Sequence, residues 1–178
     1  EVRHSQLYIR INKEDLIDVT LFLKTNKHTK FRQLIDITVV DYPEEAQRFK
    51  VVYLFLSHEL NQRLILSYFI NENEIISSLT SVFPAANWME REVFDMYGVN
   101  FKNHPDLRRI LTDYGFEGHP LRKDFPLTGH SEVRYSEDKK KVISESVKLE
   151  QNYRNFDYES PWEGTKYIKD QTGNNDKK

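Results

Sequence analysis

The sequence predicts an α+β domain: an antiparallel sheet packed with helices, followed by a long irregular C-terminal extension. Three observations predict it. Leu16, Ile17, Leu21, Phe22 and Leu23 recur at helical spacing. Three stretches between Phe31 and Ile70 are rich in Val, Ile, Tyr and Phe. Beyond Gly98 no apolar period is sustained, and three of the six Pro and two of the six Gly fall between Val99 and Pro126.

In chain order, the helical spacing places an amphipathic helix over residues 13–27. "FRQLIDITVVDY" (Phe31–Tyr42), "RFKVVYLFLSHE" (Arg48–Glu59) and "QRLILSYFI" (Gln62–Ile70) then read as a three-stranded antiparallel meander. In the middle strand Val51, Val52, Leu54, Phe55 and Leu56 are apolar on both parities, so cover is expected on both of its faces. A second helix is expected from near Asn73 to Phe83, ended by Pro84. A third spans Ala85–Tyr97 and stops at Gly98, a residue suited to a left-handed cap. One short strand is expected at Lys141–Val147. The predicted division is therefore a compact domain over 1–100, an irregular partner-docking extension over 101–164 and a polar, disordered tail over 165–178.

Bulk properties exclude several function classes. The chain has 178 residues and a formal net charge of -2, with acidic and basic residues interspersed, so nothing pulls it toward nucleic acid or an anionic membrane. Its apolar runs are only a few residues long, so no transmembrane helix is expected. Glu1 is not a start methionine and no basic-then-apolar leader follows it, so any targeting segment is expected either to be missing from this chain or never to have existed. With no cysteine, this chain has no disulfide, thiolate zinc site, ordinary iron–sulfur ligation or thiol nucleophile.

On the third helix, Met89, Val93, Phe94, Met96 and Tyr97 form one apolar sector, with Arg91, Glu92, Asp95 and Trp88 opposite. Glu90 falls inside the apolar sector. A buried carboxylate needs a partner or a raised pKa, and Arg108, Arg109, Arg122 and Lys123 are the nearest cations in sequence. Glu90 is then either a general acid or a buried strut from helix to loop. The stretch His104–Pro126 carries those four cations, four acids including Asp124, and two His-Pro pairs at His104 and His119. Proline and glycine hold such a loop in one stiff, non-helical shape. It could grip an anionic ligand, as in a free-standing anion-binding module or enzyme. His104, His119 and His130 could hold a metal, although their spacing matches no ordinary ligand pair. Or the loop could form a protein interface, for which arginine and aromatic residues are enriched. Tyr153, Phe156, Tyr158 and Trp162 beyond it favour the interface.

"EREVFDMYGVNFKNHPDLRRIL" (residues 90–111) and "GFEGHPLRKDFP" (residues 115–126) resemble the 30 kDa subunit family of respiratory complex I, the proton-pumping NADH:ubiquinone oxidoreductase. The family signature opens Glu-Arg-Glu, here Glu90–Arg91–Glu92, and continues with Asp95, Met96 and Tyr97. His104, Arg108, Ile110 and Leu111 follow. "VDYP" (Val40–Pro43), "SVFPAA" (Ser81–Ala86) and "FDYESPWE" (Phe156–Glu163) also fit, and Met89 stands where some members carry Trp. The resemblance implies a core subunit of the peripheral arm, docked to the 49 kDa quinone-site subunit and other arm subunits. It implies no catalytic, cofactor or metal site in this chain, with FMN, iron–sulfur clusters and ubiquinone on other subunits. It also implies a peripheral place on the matrix side of the mitochondrial inner membrane, or the cytoplasmic side of a bacterial one. The abundance of Lys, Ile and Asn suits an AT-rich, mitochondrially encoded gene.

Overall fold

The structure is a computed structural model, and it describes residues 2–3, 6–151 and 153. Two N-terminal strands, β1 (Val2–Arg3) and β2 (Gln6–Arg10), precede a 3-10 turn and helix α1 (Leu16–Thr25). The meander follows as β3 (Gln33–Asp41), β4 (Phe49–Ser57) and β5 (Gln62–Ile70). Next come β6 (Ile75–Ser77), α2 (Ala86–Tyr97) and β7 (Asn100–Lys102). Two further strands, β8 (Ser131–Ser136) and β9 (Lys141–Ser146), form a two-stranded sheet of their own.

The main sheet has five strands in the order β1-β2-β5-β4-β3. The meander pairs antiparallel as its sequence demands, with one bulge where register shifts between Leu34 and Asp36. The sheet as a whole is mixed rather than antiparallel, because β2 lies parallel to β5 with Leu7 opposite Leu64. β2 has only five residues and a weak pattern, and its partner is distant in the chain, so local periodicity carried no signal for it.

The expected helix over 73–83 is not formed. Its first part is β6, pairing parallel with β7, and tight turns fill the rest. Ile76, Leu79, Val82 and Phe83 have helix-like spacing, but they reach the core from a strand and two turns instead. Pro84 and the β6–β7 bridge override the weak periodicity.

Along β4, alternate residues are fully buried: Phe49, Val51, Tyr53 and Phe55. They join Leu64, Leu66, Tyr68 and Ile70 of β5, Leu16 and Leu23 of α1, and Ala86 and Val93 of α2 in one core. Both helices therefore cover the same face. The other face of β4 carries Lys50, Val52, Leu54 and Leu56, only half-buried. The second cover expected from its sequence does not come from either helix.

The chain divides into two compact units, Glu1–Ser131 and from Glu132 onward. Residues 101–131, which the sequence assigns to a separate extension, thus belong to the first unit. Phe156, Tyr158, Trp162 and the polar tail lie outside the described residues.

Candidate docking loop and its buried carboxylates

Helix α2 ends at Gly98, whose left-handed φ of 77° closes the helix. The last carbonyls of a helix lack partners within it, and here residues 119–122 supply them. His119 Nδ1 donates to the Asp95 carbonyl at 2.9 Å, Leu121 N to Met96 at 3.1 Å, and Arg122 Nε to Tyr97 at 2.6 Å. This close packing needs glycine: a Cβ on Gly98 would lie 2.6 Å from both Arg122 Nη2 and His119 Nε2.

Asp95 organises the other limb of the loop. Its fully buried carboxylate accepts the backbone amides of Ile110, Leu111 and Thr112 on Oδ2, at 3.0, 2.7 and 2.9 Å. On Oδ1 it accepts the Thr112 hydroxyl at 2.6 Å and Arg109 Nη1 at 2.7 Å. Burial raises its pKa, but the Thr112, Leu111 and Arg109 hydrogen bonds outweigh that and hold the carboxyl well below the usual range. Arg109 also donates Nη2 to Gly118 O at 2.9 Å, stapling one limb of the loop to the other.

A second carboxylate, Asp41 at the end of β3, anchors the loop's far end. Arg48 grips it through two bonds of 2.7 and 2.9 Å, and Lys123 N donates to it at 2.7 Å. Arg48 continues to Glu72 and Asp124, and Arg122 also reaches Glu72. The Arg48 hydrogen bonds depress the Asp41 pKa despite burial.

Glu90 is fully buried, but no arginine among the described residues meets it. Ser78 Oγ donates to Oε2 at 2.6 Å and Leu79 N to Oε1 at 2.7 Å, while His104 Nε2 lies 3.9 Å away. Burial outweighs these two donors and lifts its pKa to about 7. The four cations proposed from sequence are occupied elsewhere or exposed: Arg109 at Asp95, Arg122 at Glu72, Arg108 with exposed Asp106, and Lys123 at the surface. Arg91 and Asp95 also depart from expectation. Assigned to the polar side of α2, both are buried, because loop 104–126 lies over that side. Arg91 donates to the Arg108 and Arg109 carbonyls and stacks on Trp88, whereas Glu92 is exposed.

His104 donates from Nε2 to Asn87 O and accepts the Asp106 amide on Nδ1, so the pair of bonds places its proton on Nε2. Asp41, Arg48, Glu72, Ser78 and Thr112 were not recognised from sequence. Apart from the Asp41–Arg48 pair their partners are distant in the chain, and only Asp41, inside the "VDYP" motif at a strand end, carried a hint of a role.

The loop is therefore braced against α2, Asp41 and Glu72, and Arg109 and Arg122 are committed to the chain's own carbonyls and carboxylates. Outward it turns four apolar side chains, Leu111, Tyr114, Leu121 and Leu127, 48% to fully exposed, set among exposed Asp106, Arg108, Asp113, Glu117, Lys123 and Asp124. The family model for the 30 kDa subunit of respiratory-chain NADH dehydrogenase matches residues 9–131. The chain belongs to that family.

Relatives of this NADH dehydrogenase family member agree. It is 56% identical to the NADH-quinone oxidoreductase C subunit of Dinoroseobacter shibae over 94% of this chain and 78% of that protein. It is 55% identical to the equivalent protein of Ruegeria pomeroyi, covering 94% and 84%. Among solved structures, it resembles a chain of the membrane-bound sulfane sulfur reductase, an archaeal respiratory membrane complex. The TM-score is 0.63 at 25% identity, over 80% of this chain and 89% of that one. The family match starts at residue 9, before the first of the recognised motifs at Val40, and it ends at residue 131, short of Phe156–Glu163. No described helix of this family member is long and apolar enough to cross a membrane.

Proposed function

We propose that this chain is a core subunit of the peripheral arm of an NADH-quinone oxidoreductase, docked to the larger subunit that forms the quinone site and carrying no redox centre itself. It supports electron transfer from NADH to quinone by holding that partner in place. FMN, iron–sulfur clusters and quinone sit on other subunits. The near relatives are bacterial, which favours the cytoplasmic side of an inner membrane.

The observation that carries the reading is the rigid, braced loop with outward apolar side chains. Rigid apolar projections of this kind are suited to burial against another protein. The same bracing argues against a free anion site, because Arg91 and Arg109 are committed to the chain's own carbonyls and Asp95. Independent catalysis is not expected.

The test is native electrophoresis of source membranes in mild detergent, with an NADH-dehydrogenase stain and mass-spectrometric detection of this chain. The chain should migrate only with the large active band, and cross-linking within that band should join loop 104–127 to the quinone-site subunit. A predominantly small soluble species would overturn the assignment.

A further inference from the structure

The helix-free face of the main sheet is the most unusual surface of the described residues. A sheet with one wet face alternates polar with apolar residues, but this face of β4 reads Lys50, Val52, Leu54, Leu56. Register extends the apolar surface sideways. Ile65 lies opposite Leu54, Phe69 opposite Lys50, and Val40 opposite Lys50 on the other side.

Cations outnumber acids around this apolar centre, with Asp36 opposite Leu54 and Glu45 at the cleft as the acids. Arg10 and Lys50 both lie over the Phe69 ring, at 5.2 and 5.8 Å from its centroid, and Tyr42 packs beside it at 6.3 Å. A cleft of about 350 Å³ opens there. Arg63, opposite Leu56, places a third cation at the far end. Among the described residues none of these three forms an ion pair with a carboxylate, whereas Lys13, Lys30 and Arg48 all do. The acids nearby are Asp36, which accepts its neighbour's amide, and Glu45 at the cleft rim.

We infer that this face is a second docking surface, covered in the assembled enzyme by an amphipathic helix of another subunit with acidic residues flanking its apolar stripe. This rests on the subunit reading above and adds an interface distinct from loop 104–127. Helices are the usual cover for an apolar sheet face. Lys50 to Leu56 spans roughly 20 Å, which about four helical turns match in length. The acidic flanks would meet Arg10, Lys50 and Arg63, while the stripe buries Val52, Leu54, Leu56 and Ile65.

The experiment replaces Leu54 with a photo-cross-linking phenylalanine derivative in cells assembling the whole complex, then identifies the product by mass spectrometry. Cross-linking to an acidic amphipathic helix of another subunit is the expected result. The double charge reversal Arg10→Glu/Lys50→Glu should cut the yield by about fivefold, since rim charges govern encounter and salt sensitivity. Both replaced side chains are peripheral to the core, so the melting temperature of the variant checks that the fold is intact. Cross-links to a second copy, to the chain's own residues or to nothing, with the chain still in the large band, would overturn this interface and leave the subunit reading standing. A yield unaffected by charge reversal would overturn the acidic partner. Absence of the chain from any large complex would overturn both.

Discussion

Asp95 and Arg109 meet at 2.7 Å, yet the arginine supplies only one of five donors to a fully buried carboxylate. The remaining four come from residues 110–112, so the acid shapes the backbone as much as it pairs with a charge. Asp95→Ala would strand three amides and a partly buried guanidinium. A loss of about 3–5 kcal/mol is expected, read as an earlier denaturant midpoint and as new protease cleavage within residues 106–116.

Arg109→Ala should leave the domain folded and loosen the loop, because the backbone amides still hold Asp95. The amount of assembled complex should fall several-fold while NADH:quinone turnover per assembled complex stays near wild type. Arg108→Ala is the control: its pair with Asp106 is exposed, so stability should change by less than about 0.5 kcal/mol. Quantitative native gels with activity staining check both, and normal assembly with abolished quinone reduction would assign Arg109 a direct role in the chemistry.

Gly98 and Gly115 offer a matched comparison. Both have left-handed φ, at 77° and 80°, but a Cβ at 98 strikes His119 and Arg122 whereas one at 115 meets nothing within 4 Å. Gly115→Ala should cost about 1 kcal/mol from backbone strain alone, and Gly98→Ala at least about twice that. Thermal melts of the two variants measure the difference.

Glu90 makes stability depend on pH in an unusual sense. Its pKa rises from 4.5 to about 7 on folding, so between those values the folded chain retains a proton that the unfolded chain has lost. Its contribution is full below pH 4.5 and is lost as pH rises to about 7, a decline of about 3 kcal/mol. Asp95 does not offset this, since its depressed pKa contributes stability only lost at more acidic pH. Glu90→Gln keeps an acceptor for Leu79 and should flatten the profile between about pH 5 and 7, measured by urea melts across that range. An identical slope in the variant would show that Glu90 is not the titrating group.

Tyr53 and Tyr68 share a buried hydroxyl–hydroxyl bond of 2.8 Å. Removing one partner leaves the other unsatisfied, so Tyr53→Phe should cost about 1–3 kcal/mol, and Tyr53→Phe/Tyr68→Phe less than the sum of the single changes. A double-mutant cycle reads the coupling directly.

The meander, α1 and α2 were legible because each repeats its apolar residues at the period of its own backbone. The polar side of α2 was not. A helical wheel placed Arg91 and Asp95 toward solvent, and nothing local announces that a loop ten to thirty residues later will cover them. Glu90 was correctly singled out by its place among Met89, Val93 and Phe94, but charge complementarity suggested arginine partners. The structure uses a serine hydroxyl and a backbone amide, which leave no mark in sequence spacing. The region 73–83 failed for the opposite reason: its apolar spacing suits a helix, but the pairing of Ile75–Ser77 with Asn100–Lys102 wins.

The placement of β2 beside β5 also sets a timetable. β3, β4 and β5 can pair as soon as each turn between them is made, since their contacts are local. β2 is synthesised before all of them, yet its row of hydrogen-bond partners, Leu64 to Ser67, emerges last. Until then the edge of β2 that faces β5 has no partner, and closing it requires the ends of a loop of more than fifty residues to meet. The last pairing the sheet can make is therefore the capture of β2, a strand made before the meander, and conditions that slow this capture expose the β5 edge to pairing with other chains.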